Sequence, residues 1–271
     1  MSFDPGHELL GAGSLFDVRR VKIRGEDAVE KRILPRFRRE PEARAALVRE
    51  AQVLSAALHP GLPHLLGVGV DDKGPYLRET YVAGISIRQI VESWSGHGGT
   101  PPRLAGHVAR EAFEVLAELH ELAGPSGPLV FVHGDIGPDH VILGPAGMVR
   151  YLDFGASRIA GLATSLLGQG RGTLPFVAPE VARGDAPPDQ AADVYALAAT
   201  VLYLATGGPL CDAKDEAAML FEVGTRGVRT ALLDEAAAFR PAEKAALAAA
   251  LATDPAARVR DARGVLRAFD A

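Results

Sequence analysis

Phe131-Val132-His133-Gly134-Asp135-Ile136-Gly137-Pro138-Asp139-His140-Val141-Ile142-Leu143 runs into the turn Gly144-Pro145-Ala146-Gly147. Beyond it comes Val149-Arg150-Tyr151-Leu152-Asp153-Phe154-Gly155-Ala156-Ser157-Arg158. Two apolar runs, 141–143 and 149–152, flank a Gly/Pro turn, which predicts a tight hairpin. One carboxylate stands before the hairpin, Asp135, and one directly after it, Asp153. A hairpin brings these two acids to one edge of a buried sheet. That arrangement suits a metal-bound phosphate beside one acid and a proton-accepting role for the other.

The 271 residues suffice for one large domain or two small lobes with a sizeable core. The net charge of −5 and the scattered Lys and Arg residues argue against nucleic acid or an anionic membrane surface as a partner. The lone cysteine, Cys211, excludes an internal disulfide and fits a reducing, cytoplasmic setting. No signal-peptide pattern opens the sequence, and no apolar run approaches the roughly 18–20 residues that span a bilayer. Neither a repeat nor a second domain is visible, so residues 1–271 are expected to form a single domain. Composition is silent on oligomeric state.

Upstream, 8–23 reads as two strands around Leu10-Gly11-Ala12-Gly13-Ser14-Leu15-Phe16-Asp17-Val18, a glycine turn. After the turn Arg24-Gly25-Glu26-Asp27, the two-residue period of 28–33 sets Lys31 on one face with Val29 and Ile33, and Glu30 and Arg32 on the other. A lysine on an apolar face needs an anion. Residues 41–58 carry Leu47, Ala51, Leu54 and Leu58 at helical spacing, with Glu50 beside the stripe and His59-Pro60 as a stop. Residues 65–70 and 76–82 form a hairpin about Asp71-Asp72-Lys73-Gly74, in which Glu79 is a charge costly to bury unless paired. Residues 96–102 form a surface loop, and 104–122 an amphipathic helix on which His120 is a packed core residue rather than a ligand.

The segment His133–His140 resembles the catalytic loop of eukaryotic-type (Hanks-type) serine/threonine protein kinases, and Asp153-Phe154-Gly155 their metal-binding triplet. Ala178-Pro179-Glu180 resembles the anchor that closes the family's activation segment, and Asp254-Pro255-Ala256-Ala257-Arg258 the D-P-x-x-R that pairs with it. The resemblance runs from near residue 8 to near residue 269. It implies an α+β bilobal fold: a small β-rich lobe over about 1–79, a hinge over about 80–84 and a larger helical lobe over about 85–271.

The resemblance also implies roles. ATP would bind with Mg or Mn. Gly11, Gly13 and Val18 would cover its phosphates, Val29 would lie above the adenine, and Thr80 and Val82, with Tyr81 between, would meet the base with backbone groups. Lys31, paired with Glu50, would hold the α- and β-phosphates; Asp135 would accept the substrate proton; Asp153 and His140 would hold the metal. Asp193, opening an apolar helix to Ala205, would brace the catalytic-loop backbone, and Glu180 with Arg258 would be structural. Thr164, Ser165 and Thr173 are candidate phosphosites, and a protein substrate or regulatory partner is expected.

Several positions depart from the family's pattern. Phe16 stands in place of the third loop glycine, so its side chain must point away or fill the phosphate space. Val29 replaces alanine, Glu79 an apolar residue at the back of the pocket, and Gly134 an arginine that reads activation-segment phosphate. Gly137 replaces a lysine at the γ-phosphate, and His140 a metal-binding asparagine; imidazole suits Mn²⁺ better than Mg²⁺. Three functions follow: a serine/threonine protein kinase, a pseudokinase serving as a nucleotide-binding or scaffolding regulator, and a small-molecule kinase. The H-G-D spelling fits the last, but that group lacks A-P-E and its arginine.

Overall fold

Alternating and β-branched segments build the first half of the chain, seen in a computed structural model that describes residues 8–12, 15–167 and 172–270. Strands β1 (Glu8–Ala12), β2 (Phe16–Ile23), β3 (Glu26–Ile33), β4 (Leu65–Asp71) and β5 (Gly74–Thr80) form one antiparallel sheet in the order β1-β2-β3-β5-β4. Its register sets Lys31 opposite Val18 and Leu77. Across the sheet's other face Glu30 pairs with Arg32 and Arg78, and Arg32 with Asp71. The two-residue period thus separates the faces as expected.

Helix α1 (Pro41–Ala56) starts on a proline at its first turn and packs under this sheet. It is two residues shorter than the expected span, since the chain leaves helical geometry at Ala57 ahead of His59-Pro60. Phe16, Ile33, Ala43, Ala46, Leu47 and Leu77 make a compact core between helix and sheet. Of the two fates open to Phe16, the structure takes the first: its ring is 8% exposed in that core, on the side away from the cleft.

Past a connection at Tyr81–Gly84 come the short strand β6 (Ile85–Ser86), α2 (Ile87–Trp94) and α3 (Pro102–His120). A two-strand ribbon, β7 (Ala123–Gly124) and β8 (Gly127–Pro128), leads to the hairpin β9 (Val141–Leu143) and β10 (Val149–Tyr151). Gly84 has φ +152°, and a Cβ there would meet the Leu143 carbonyl at 2.4 Å, so only glycine lets the connection press against the hairpin. Helices α4 (Pro179–Arg183), α5 (Gln190–Thr206), α6 (Glu216–Arg226), α7 (Leu232–Glu235), α8 (Pro241–Ala250) and α9 (Ala262–Asp270) complete the second half.

The larger core gathers around α5, which is buried along nearly its whole length, with α3, Phe131, Tyr151 and Phe154 packed against it. The Asp189 side chain caps α5 by accepting from the Ala192 amide at 2.9 Å, and Gly207 at φ +67° ends it. A β-rich lobe and a helical lobe are therefore joined by a short connection, the expected α+β bilobal architecture. Among the described residues no helix is long and apolar enough to cross a membrane.

Candidate active site

Between the lobes lies a cleft of ≈ 650 Å³. Val18 and Val29 of the sheet form one wall, and Ile142 and Leu152 of the hairpin region the other. Thr80, Tyr81 and Val82 close one edge; Lys31 and Glu79 lie at the back, with His140 and Asp153 towards the hairpin. Of the expected nucleotide-binding residues, Val18, Val29, Lys31, Thr80 and Val82 line this cleft. Gly11 sits in β1 opposite Val18, whereas Gly13 lies outside the described residues.

Lys31 Nζ donates to Glu50 Oε1 at 2.5 Å, and the same oxygen accepts from the backbone amide of Phe154 at 3.2 Å. One carboxylate oxygen therefore ties the sheet, helix α1 and the D-F-G triplet together. Glu50 is wholly buried, and burial pushes its carboxyl up even though Lys31 pulls the other way. Burial opposes charge on Lys31 as well, but Glu50 and Glu79 outweigh it and raise the lysine above its ordinary range.

Glu79, 3% exposed, is the second partner: its Oε1 lies 3.3 Å from Lys31 Nζ. Burial, reinforced by the nearby Glu50 and only partly offset by Lys31, lifts its carboxyl to about 7. Glu50 Oε2 and Glu79 Oε2 are both buried without a partner among the described residues. The back of the cleft thus concentrates more acid than base.

Phe154 is fully buried against His133, ring centroids 5.1 Å apart, and beside Phe131 at 6.3 Å. This packing fixes the triplet and leaves Asp153, at φ +67°, to turn back towards the cleft. That left-handed geometry is rare for a non-glycine residue and marks a position held by its surroundings. Against burial, the positive fields of Lys31 and His140 keep the Asp153 carboxyl below its ordinary range.

His140 bridges the two acids. Its Nδ1 lies 2.8 Å from the Asp135 backbone oxygen, and its Nε2 lies 3.7 Å from Asp153 Oδ2. A carbonyl can only accept, so Nδ1 carries the hydrogen and the neutral ring presents a lone pair at Nε2. Burial opposes a charge on this ring, but Asp153 and Asp135 outweigh it and raise its affinity for a proton. An imidazole oriented by a carbonyl and facing a carboxylate is a fitting start for a divalent cation. No cluster of three His, Cys, Asp or Glu side chains with metal-binding geometry occurs among the described residues. The rest of an ion's shell would come from phosphate and water, as suits Mg²⁺ or Mn²⁺.

Asp135 accepts from the Thr173 hydroxyl at 2.7 Å. Thr173, a candidate phosphosite in the stretch resembling the family's substrate-docking loop, is thus also a partner of Asp135, a contact that no local signal announces because the two lie 38 residues apart. Beneath the loop, Asp193 accepts from the amides of His133 at 2.7 Å and Gly134 at 2.9 Å. His120 Nε2 lies 3.2 Å from the same carboxylate, so this histidine packs into the bracing network as expected of a core residue. Gly134 has φ +80°, and a Cβ there would come 2.7 Å from the Ala156 carbonyl. The arginine of the family pattern therefore has no room in this loop geometry. Gly137 differs: a Cβ would meet only Thr173 and Phe176 at 3.8 and 3.9 Å, ordinary contacts.

Arg49 went unnoticed in the sequence. It is 2% exposed and donates to the backbone carbonyls of Gly155 and Leu166, with Glu42 at 3.1 Å. Backbone carbonyls have no residue signature, so only its place next to Glu50 could have drawn attention. Further out, Arg258 grips Glu180 with two bonds of 2.6 and 2.8 Å in a buried pair over Tyr195, anchoring α4 to the end of the helical lobe.

Comparison with known proteins agrees with this geometry. Residues 6–259 match the family model described as protein kinase domain. The chain is 26% identical over 223 residues to the probable serine/threonine-protein kinase PknB of Corynebacterium glutamicum, covering 79% of this chain and 33% of that protein. It is 28% identical over 196 residues to the tyrosine-protein kinase MasK of Myxococcus xanthus, covering 69% and 30%. With the serine/threonine-protein kinase PrkC of Bacillus subtilis it shares 26% over 160 residues, 59% of this chain and 23% of that one. The chain thus spans about a third or less of the length of these relatives. With nearly the whole sequence from β1 to the Arg258 anchor inside the match, the chain belongs to the protein kinase domain family.

Proposed function

We propose that this chain is an ATP-dependent serine/threonine protein kinase, passing the γ-phosphate to a hydroxyl of a protein substrate. The observation that carries the reading is the shared Glu50 oxygen, which holds Lys31 and the Phe154 amide at once. It keeps the lysine and the D-F-G triplet in register, the alignment that positioning a triphosphate requires.

Val18, Val29, Ile142 and Leu152 would sandwich the base, and Lys31 would meet the α- and β-phosphates. Asp153 and His140 Nε2 would hold Mg²⁺ or Mn²⁺, which when bound neutralises phosphate charge. Asp135, now accepting from Thr173, would accept the substrate hydroxyl's proton as that hydroxyl takes the place of the threonine's. Asp193 keeps the loop amides fixed, so Asp135 need not reorganise during transfer. A domain that consumes ATP and keeps its one cysteine as a buried free thiol is assigned to the cytoplasm.

A second reading, a nucleotide-binding regulator without transfer activity, is favoured by the Glu79–Lys31 contact and by the missing charge at Gly137. Autophosphorylation with labelled ATP in Mg²⁺ and in Mn²⁺, beside Lys31→Met and Asp153→Asn controls, decides between them. Label on the wild type that both variants lose supports the kinase. ATP binding with no label in either metal supports the regulator.

A further inference from the structure

We infer that Glu79 is a proton-gated positioning residue: ionised, it competes with nucleotide phosphate for Lys31; protonated, it leaves the lysine to the ligand. This rests on the nucleotide-binding reading above and adds to that site a control by pH.

The geometry sets one cation between two buried acids. Lys31 Nζ lies 2.5 Å from Glu50 Oε1 on α1 and 3.3 Å from Glu79 Oε1 on β5, and all three side chains are buried. The second oxygen of each acid, Oε2, is buried with no hydrogen-bond partner among the described residues. One lysine balances one carboxylate. With both acids ionised, the cluster would keep an uncompensated buried negative charge, which is costly. A bound proton removes it.

The bonding decides which acid holds that proton. Glu50 Oε1 accepts from Lys31 and from the Phe154 amide, two donors that favour its anion. Glu79 has only the longer contact to Lys31. The charged groups that act on it from the neighbouring elements are Lys31 of β3, Glu50 of α1 and Asp153 just after β10, one cation against two acids. Burial, reinforced by Glu50, accordingly lifts its carboxyl to about 7.

Lys31, Glu79 and Asp153 all line the cleft. A phosphate arriving at Lys31 brings further negative charge to the same cation. With Glu79 ionised, phosphate and carboxylate draw on one ammonium group. With Glu79 neutral, the lysine is shared with Glu50 alone. Nucleotide binding and protonation of Glu79 are therefore linked, and the linkage is reciprocal: lower pH tightens binding, and binding near neutral pH draws in a proton. Glu50 keeps its bond to the Phe154 amide in both states, so the gate acts on the lysine and leaves the triplet in place.

His140 faces Asp153, and Asp153 and Asp135 outweigh burial to raise its affinity for a proton. Its titration and that of the phosphates are common to wild type and Glu79 variants, so the difference between them isolates Glu79.

The test is calorimetry of ATP with Mg²⁺ binding to the full chain at pH 6, 7 and 8, as wild type, Glu79→Gln and Glu79→Leu. Each titration is repeated in buffers of different ionisation enthalpy, which counts the protons taken up on binding. Wild type should take up more protons than either variant, with the excess largest near pH 7. Its affinity should fall about tenfold more than theirs between pH 6 and 8. Glutamine keeps the shape and leucine does not, so agreement between the two variants assigns the effect to the lost charge. Equal proton uptake and parallel affinities in all three proteins overturn the inference while leaving nucleotide binding intact, as does a wild type that gains on the variants as pH rises. A wild type that binds no ATP at any pH overturns the nucleotide reading and the inference with it.

Discussion

Replacing Glu79 by Gln should change how stability depends on pH, and the size of the effect follows from the site. In the unfolded chain the carboxyl titrates at its ordinary value of 4.5; folded, burial and the neighbouring Glu50 lift it to about 7. Between those values the folded protein holds a proton that the unfolded chain has lost. Glu79 thus contributes its full stability below about 4.5 and loses it as pH rises towards 7. At about 1.4 kcal/mol per pH unit, the interval is worth about 3 kcal/mol. Glutamine keeps the shape and lets its carbonyl accept from Lys31, but it carries no proton to lose. Thermal melts of both proteins across pH 5–8 should therefore diverge. The wild type should fall behind by roughly 5–10 °C at the upper end, taking about 2–4 °C per kcal/mol for a chain near this length. A constant gap over that range, or a wild type gaining on the variant as pH rises, would refute the idea that two buried glutamates share one lysine.

Three other consequences are open to direct measurement. Gly137→Lys adds a charge where a Cβ meets only ordinary contacts; labelled-phosphate transfer should rise about tenfold in kcat with KM for ATP less affected, and no gain would dissociate position 137 from the transferring phosphate. Arg258→Met strands the buried Glu180 and should cost about 3–5 kcal/mol in urea unfolding. Much of that loss should return when Glu180→Met is added, whereas additive losses would show that the pair does not act as one unit. ATP with Mn²⁺ should raise the wild type's Tm more than ATP with Mg²⁺, and His140→Asn should reverse that order; identical shifts in all four cases would remove His140 from the metal site.

The parts of this site that could be read from residues alone are those with a local signal. The hairpin announced itself through the Gly/Pro turn between two apolar runs. Lys31 stood out because a two-residue period put a cation on an apolar face, and the structure pairs it there with Glu50. What stayed hidden depends on partners far along the chain. The complete burial of Glu50 follows from the Phe154 amide, 104 residues away. That of Arg49 follows from the carbonyls of Gly155 and Leu166. The absence of arginine at 134 was plain, but its cause, a left-handed backbone pressed against the Ala156 carbonyl, has no trace in composition. Phe16 left two outcomes open, because nothing near it says which side of the sheet has space.

Arg49 and Glu50 are adjacent in α1, and their side chains leave the helix about 100° apart. Glu50 holds Lys31 and the front of the D-F-G triplet; Arg49 holds the carbonyl of Gly155 that ends the triplet and that of Leu166 beyond it. A rotation of α1 that kept one set of contacts would break the other, so the helix is fixed against both the sheet and the segment after Asp153. With no room for an arginine at position 134, no phosphate has to be read there to secure that segment. The same double hold makes Glu79 consequential. It contacts Lys31 from β5, outside the helix, and is the one carboxylate whose pull on the lysine does not also align the triplet.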